Sequence, residues 1–106
     1  MTKIVINTCY GGFSLSPEAV LLAQSYADKN SKWHEVSPAY GYLYDVPRHD
    51  PILIRVVEEL GVEKASGKVA SLEIVDIGNI KNYTIYEYDG LESLEPFGAS
   101  SYTVED

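Results

Sequence analysis

The sequence predicts an α+β domain, with two helices packed on one face of a small antiparallel or mixed sheet. Three observations lead there. A β-branched opening run is followed by a Ser-Pro pair and an apolar stripe with helical spacing. An Asp-Pro pair opens a second such stripe. The second half then holds short apolar and aromatic runs separated by turn dipeptides. With 106 residues the chain has room for one core, so residues 1–95 read as a single domain and residues 96–106 as a flexible tail.

Taken in order, residues 3–6 (Lys-Ile-Val-Ile) read as a short buried strand. Gly11 and Gly12 then allow a turn with left-handed backbone or a close approach. Ser16 caps a helix whose first residue is Pro17, where a missing N–H costs nothing. That helix extends to about residue 29 on a stripe of Val20, Leu21, Ala23, Tyr26 and Ala27. Residues 31–49 have poor periodicity and read as irregular. Within them, residues 33–36 have the alternation of a short strand, and Tyr40, Tyr42 and Tyr44 alternate so as to share one face of an extended segment.

Asp50-Pro51 repeats the cap-and-proline logic. Leu53, Val56, Val57 and Leu60 then mark a helix over residues 51–60, and Gly61 stops it. Residues 70–77 read as a strand with apolar residues on both faces, hence a central strand of the sheet. Residues 83–88 form a β-branched and aromatic strand, Asp89-Gly90 a hairpin turn, and residues 91–95 a short returning strand. The opening strand can pair with either of the two strands that precede that turn, in a sheet of roughly three to five strands.

The charge balance narrows function. Sixteen acidic side chains against eight basic ones leave a net charge of −8, a field that repels polyanions. General nucleic-acid binding and binding to anionic membranes are therefore disfavoured, while a small anion in a local pocket is not excluded. No apolar run approaches the ~20 residues of a membrane helix, and no secretory leader is evident. A lone cysteine, Cys9, excludes an internal disulfide and fits a reducing cytoplasm. Nine tyrosines against two phenylalanines and one tryptophan suit a surface that binds something.

The blocks Lys-Ile-Val-Ile-Asn-x-Cys-Tyr-Gly-Gly-Phe-x-Leu-Ser (residues 3–16) and Arg-x-Asp-Pro-x-Leu-Ile-x-Val-Val-Glu-x-Leu-Gly (residues 48–61) resemble a family of small proteins of tailed phages and prophages. Two later blocks extend the resemblance, Leu-x-Ile-Val-x-Ile (residues 72–77) and Tyr-x-Ile-x-Glu-Tyr-Asp-Gly-x-Glu (residues 83–92). Residues 31–46 and the end of the chain depart from it. The resemblance implies a phage accessory protein acting in the host cytoplasm, of a kind that often counters host defence.

The lead functional expectation is a non-enzymatic protein that sequesters a small nucleotide-derived ligand. The turn residues Asn7, Cys9, Gly11, Gly12, Phe13 and Ser14 would cradle its anion. Arg48 and His49, just ahead of the second helix, would meet the same charge, and Tyr10, Tyr40, Tyr42 and Tyr44 would stack its ring. Geometrically, this requires the two helix starts to face each other. The alternative is an acidic, tyrosine-rich interaction module that blocks a host or phage protein. A third reading makes Cys9 a nucleophile, with His34 or His49 as base, Asp50 as orienter and the glycine amides as oxyanion donors. His34, His49, Asp50 and Cys9 lack the spacing of a metal site, and no cofactor or catalytic residue is assigned. A homodimer is expected, because small hairpins leave edges that need covering.

Overall fold

The computed structural model describes residues 2–43, 46–78, 82–95 and 102–103. It is an α+β fold with antiparallel pairing throughout. Strand β1 (Thr2–Asn7) pairs with β2 (Leu72–Gly78), with Ile4 opposite Val75 and Val5 opposite Ile74. Strand β3 (Asn82–Tyr88) lies between β4 (Leu91–Glu95) and β5 (Tyr102–Thr103). The strands thus form two ladders, where one sheet was expected. Within residues 96–106, read from sequence as a tail, Tyr102–Thr103 pairs with β3, and the other positions lie outside the described residues.

The two ladders follow from β1 and β2 being apolar on both faces. Val5, Leu72 and Ile74 join the main core with the helices. Ile4 and Ile6, with Val75 and Ile77, meet Tyr83 and Ile85 of β3 on the other side. The first ladder is therefore a middle layer, with helices on one side and the β3–β4 hairpin on the other. Asp89 and Gly90, at φ 50° and 92°, close that hairpin in the two-residue turn their sequence predicts.

Helix α1 (Pro17–Tyr26) is shorter than expected and buries Ala19, Val20 and Ala23. Leu21, assigned to its apolar stripe from sequence, is 57% exposed, because it sits a hundred degrees around the helix from Val20. Helix α2 (Pro51–Leu60) has the bounds expected and buries Leu53, Val56 and Val57. A single further turn, α3 (Val62–Ala65), follows Gly61, whose φ of 84° makes the break between them.

Residues 33–36 are not a strand. Lys32–Glu35 form a 3-10 turn capped by the Ser31 hydroxyl, which swings Trp33 into the core. The Gln24 amide donates to the carbonyls of Trp33 and Val36 at 3.0 and 2.9 Å, and the indole N–H donates to Asp50 Oδ1 at 3.2 Å. That same oxygen accepts from the Ile52 and Leu53 amides, so Asp50 caps α2 and anchors Trp33 together. Asp50→Ala is accordingly expected to lower stability by about 2 kcal/mol, the upper end for a lost helix cap, measurable by urea unfolding.

On the surface, α1 and α2 are joined by a triad. The Tyr26 hydroxyl donates to Glu59 Oε2 at 2.6 Å, Arg55 Nε donates to Glu59 Oε1 at 3.0 Å, and the Arg55 guanidinium lies 3.8 Å over the Tyr26 ring. The Tyr26 hydroxyl, and then Arg55, hold the Glu59 carboxyl below its usual range, while Glu59 raises the Tyr26 phenol. The contribution of Glu59 is thus present above the ordinary carboxylate pKa and lost as pH falls through its lowered value. That of Tyr26 is present below the ordinary phenol pKa and lost as pH rises through its raised value. Tyr26→Phe should move the Glu59 titration back toward the ordinary range in a carboxyl-carbon NMR titration.

Candidate functional site

The opening turn is a junction of the fold. Asn7, fully buried at the end of β1, uses both ends of its amide. Its Nδ2 donates to the carbonyls of Cys9 and Gly90, both at 2.7 Å, and its Oδ1 accepts from the Ser71 amide at 2.8 Å. One side chain thereby ties the strand end, the turn, the start of β2 and the hairpin tip together. Gly11 runs so close to residue 69 that a Cβ would stand 1.8 Å from the Val69 carbonyl oxygen. Gly90 presses on the turn in the same way, with a Cβ placed 2.3 Å from the Gly12 nitrogen. Gly11 and Gly90 are therefore packed against neighbouring backbone, whereas Gly12, at φ 89°, has open space where a Cβ would stand. Ser14, also buried, meets Gly67, whose amide donates to the Ser14 carbonyl at 2.9 Å.

Both helix starts are likewise filled from within. Ser16 Oγ accepts from the Ala19 amide and donates to the Lys64 carbonyl, while Asp50 serves α2 and Trp33. The expected meeting of two open helix N-termini is not what the chain builds.

Arg48 is the most committed of the candidate side chains. Nη1 and Nη2 donate to the two oxygens of Glu92 at 2.5 and 2.9 Å, in a fork-to-fork pair with side-chain exposures of 16% and 6%. Glu92 Oε1 also accepts from the Asn7 amide at 2.8 Å, and the guanidinium covers the Phe13 ring at 3.7 Å. The Arg48 carbonyl accepts from the Val5 amide, so this loop also closes the edge of β1 that faces away from β2. From sequence, Arg48 is expected to meet the charge of an anionic ligand. Its partner comes instead from β4, a distant segment.

Several candidates do share one place. Gly12, Phe13, Tyr42 and Arg48 line an open concavity of about 420 Å³ together with Leu43, Glu87, Gly90 and Glu92. Tyr42 is half exposed there, and Tyr40 stacks on it with the rings 6.1 Å apart and 5° from parallel. The residues lie in a turn and coil rather than on an extended strand, and Tyr44 lies outside the described residues. Tyr10 is 65% exposed and does not line the hollow. His49 is directed elsewhere, with Nδ1 bonded to the Tyr83 hydroxyl at 2.6 Å and its ring edge-on to that phenol.

The partners of the Cys9 thiol are oxygens. Sγ donates to the Val69 carbonyl at 2.9 Å and approaches Asn7 Oδ1 at 3.4 Å, and neither imidazole is among its partners. His34 Nε2 bonds to the Asp28 carbonyl. Among the described residues, no group of three or more His, Cys, Asp or Glu side chains is placed to hold a metal ion. A second hollow, of about 310 Å³, is lined by α3 and the loop after it and contains none of the candidate residues.

Glu87, Gly90 and Glu92 were not assigned to a site from sequence, although all three stand in the block of residues 83–92 quoted above. Strand alternation carries the signal. Tyr83, Ile85 and Glu87 share the face of β3 that meets the body of the domain, and Glu87 pairs directly with Glu92 across the hairpin. No protein-family model, curated protein or solved structure matches this chain.

Proposed function

We propose that this chain is a non-enzymatic interaction module that captures a basic protein partner on an acidic, tyrosine-bearing surface. The observation that carries this reading is the contrast between its arginine and its tyrosines. Arg48, the cation a nucleotide phosphate would need, is neutralised by Glu92, whereas Tyr10, Tyr40, Tyr42, Tyr86 and Tyr88 are all 48–70% exposed. Tyrosine supplies large, stiff contact area at small entropic cost, and a net charge of −8 speeds encounter with a basic surface. On the resemblance to phage and prophage proteins, the partner is a host or phage protein met in the host cytoplasm, and capture blocks it. No helix among the described residues is long and apolar enough to cross a membrane.

The test is capture from bacterial lysate with the tagged chain, followed by calorimetry with the purified partner. One basic protein should be retained, released by salt, and weakened by Tyr40→Ser with Tyr42→Ser or by Tyr86→Ser with Tyr88→Ser. Capture that is insensitive to salt and to both tyrosine pairs overturns the reading. A second reading, a small nucleotide-derived ligand, is favoured by the placement of Gly12, Phe13, Tyr42 and Arg48 around one concavity. Calorimetry against cyclic and linear nucleotides tests it, and absence of heat retires it. A homodimer remains part of either reading; sedimentation showing only monomer removes that part.

A further inference from the structure

We infer that the concavity beside the opening turn is a receptor for one arginine side chain of the protein partner, with Tyr42 and Glu87 as its two halves. The inference rests on the interaction-module reading and names what anchors it. The chain contains two arginines, and each is held in the same way, by an aromatic ring under the guanidinium and a carboxylate at its edge. Arg48 lies over Phe13 and is gripped by Glu92. Arg55 lies over Tyr26 and is gripped by Glu59. In the concavity a third ring and a third carboxylate, Tyr42 and Glu87, line the same wall space, and no arginine of the chain is left to fill it.

The charges point the same way. Glu87 is directly opposite Glu92 across the hairpin, and like charges so placed repel. Arg48 neutralises one carboxylate and leaves the hollow with a net charge of −1, counted over Arg48, Glu87 and Glu92. Glu87 Oε2 accepts from the Gly90 amide, which fixes the carboxylate, and Oε1 has no hydrogen-bond partner among the described residues. A guanidinium on the Tyr42 ring could donate to Oε1 and relieve the repulsion. Tyr40 stacked against Tyr42 holds that ring in place. A phosphate in the same position would meet two carboxylates. Lysine satisfies the charge but not the planar stack or the fork, so arginine is preferred.

The blocked peptide Ac-Gly-Arg-Gly-NH2, its lysine counterpart and free L-arginine are the probes, titrated into the labelled whole chain and followed by amide NMR. The arginine peptide should give saturable shifts confined to Gly12, Phe13, Tyr42, Leu43, Glu87 and Gly90. The lysine peptide should bind several-fold more weakly, and free L-arginine should also bind more weakly because its carboxylate enters a negative hollow. Glu87→Gln should weaken the arginine peptide by about tenfold and Tyr42→Ala by a similar factor, while Tyr42→Phe, which keeps the ring, should bind within about twofold of the parent. The variant spectra report folding directly, and if one variant unfolds the other decides. Diffuse shifts, equal binding of the two peptides, or indifference to both Glu87→Gln and Tyr42→Ala overturns the assignment. If the arginine site fails while capture of a basic partner still depends on salt and tyrosines, the interaction module stands without this anchor. If capture fails and the arginine peptide still binds as described, the site stands and the partner reading falls.

Discussion

Arg48→Ala is expected to destabilise the domain by about 3–5 kcal/mol, the range for removing one partner of a buried ion pair. Glu92, whose side chain is 6% exposed beside Arg48, would lose its counter-charge and keep the Asn7 amide as a donor. The Phe13 ring would also lose its cover, and the resulting hollow would open toward the concavity. The same truncation at Arg55, whose side chain is 59% exposed, should cost no more than about 1 kcal/mol, because exposed pairs are screened. The sharper comparison is Arg48→Met combined with Glu92→Gln. That pair removes the orphaned charge and keeps an amide oxygen for the Asn7 N–H, so it should recover at least about 1 kcal/mol over Arg48→Ala alone. Urea midpoints at constant slope measure all three. An Arg48→Ala cost as small as that of Arg55→Ala would show that the pair is not structural, and would return Arg48 to the list of groups free to meet an anion.

That result bears on function, because Arg48 is where sequence and structure part most clearly. A basic residue ahead of a capped helix start suggests an anion site, and nothing local indicates that Glu92, forty-four positions later, will claim it. The β4 run Leu-Glu-Ser-Leu-Glu also hides it, since Glu92 could face either way until the hairpin is docked on Ile4 and Ile6. Local signals fared better where the physics is local. The Ser16 and Asp50 caps with their following prolines start α1 and α2 where expected, and the Asp89-Gly90 turn closes the hairpin at its own two residues. The apolar spacing of Leu53, Val56, Val57 and Leu60 has a strong helical period, and α2 came out with its expected bounds.

The failures have one form. Residues 33–36 alternate like a strand, yet Trp33 is drawn inward by Asp50 and Gln24 from other segments, and tertiary contacts override a short alternation. The two apolar faces of residues 70–77 suggest a central strand, yet among the described residues β2 pairs with β1 alone, and its faces are covered by helices on one side and a second ladder on the other. The candidate site follows this pattern: Gly12, Phe13, Tyr42 and Arg48 were legible as unusual, but the carboxylates that set the sign of the hollow come from β3 and β4. Counted with Arg48, Glu87 and Glu92 give the hollow a net charge of −1 where an anion site was expected.

Asn7→Ala is the second large effect, and it concerns the stretch that brings that hollow into being. Alanine would orphan the Ser71 amide and strip the Cys9 and Gly90 carbonyls of their shared donor, in a site where Asn7 is fully buried. With orphaned groups costing roughly 1–3 kcal/mol each, a loss of at least about 3 kcal/mol is expected. Asn7→Asp separates polarity from shape. It keeps an acceptor for the Ser71 amide, but sets a carboxylate oxygen against two carbonyls and adds a buried charge near Glu92. At neutral pH it should therefore be worse than Asn7→Ala. Burial and the neighbouring acceptors raise the pKa of such a carboxyl in the folded state, so its penalty should shrink as pH falls through that raised value and the protonated form donates again. Unfolding of both variants across the acid range, with amide exchange at Ser71 as the local readout, distinguishes this from a simple volume effect. Equal stability of the two variants at every pH would mean that the amide fills space only. In that case the Gly11, Gly12 and Gly90 contacts, rather than Asn7, hold the turn against the hairpin tip and keep Glu87 facing Tyr42.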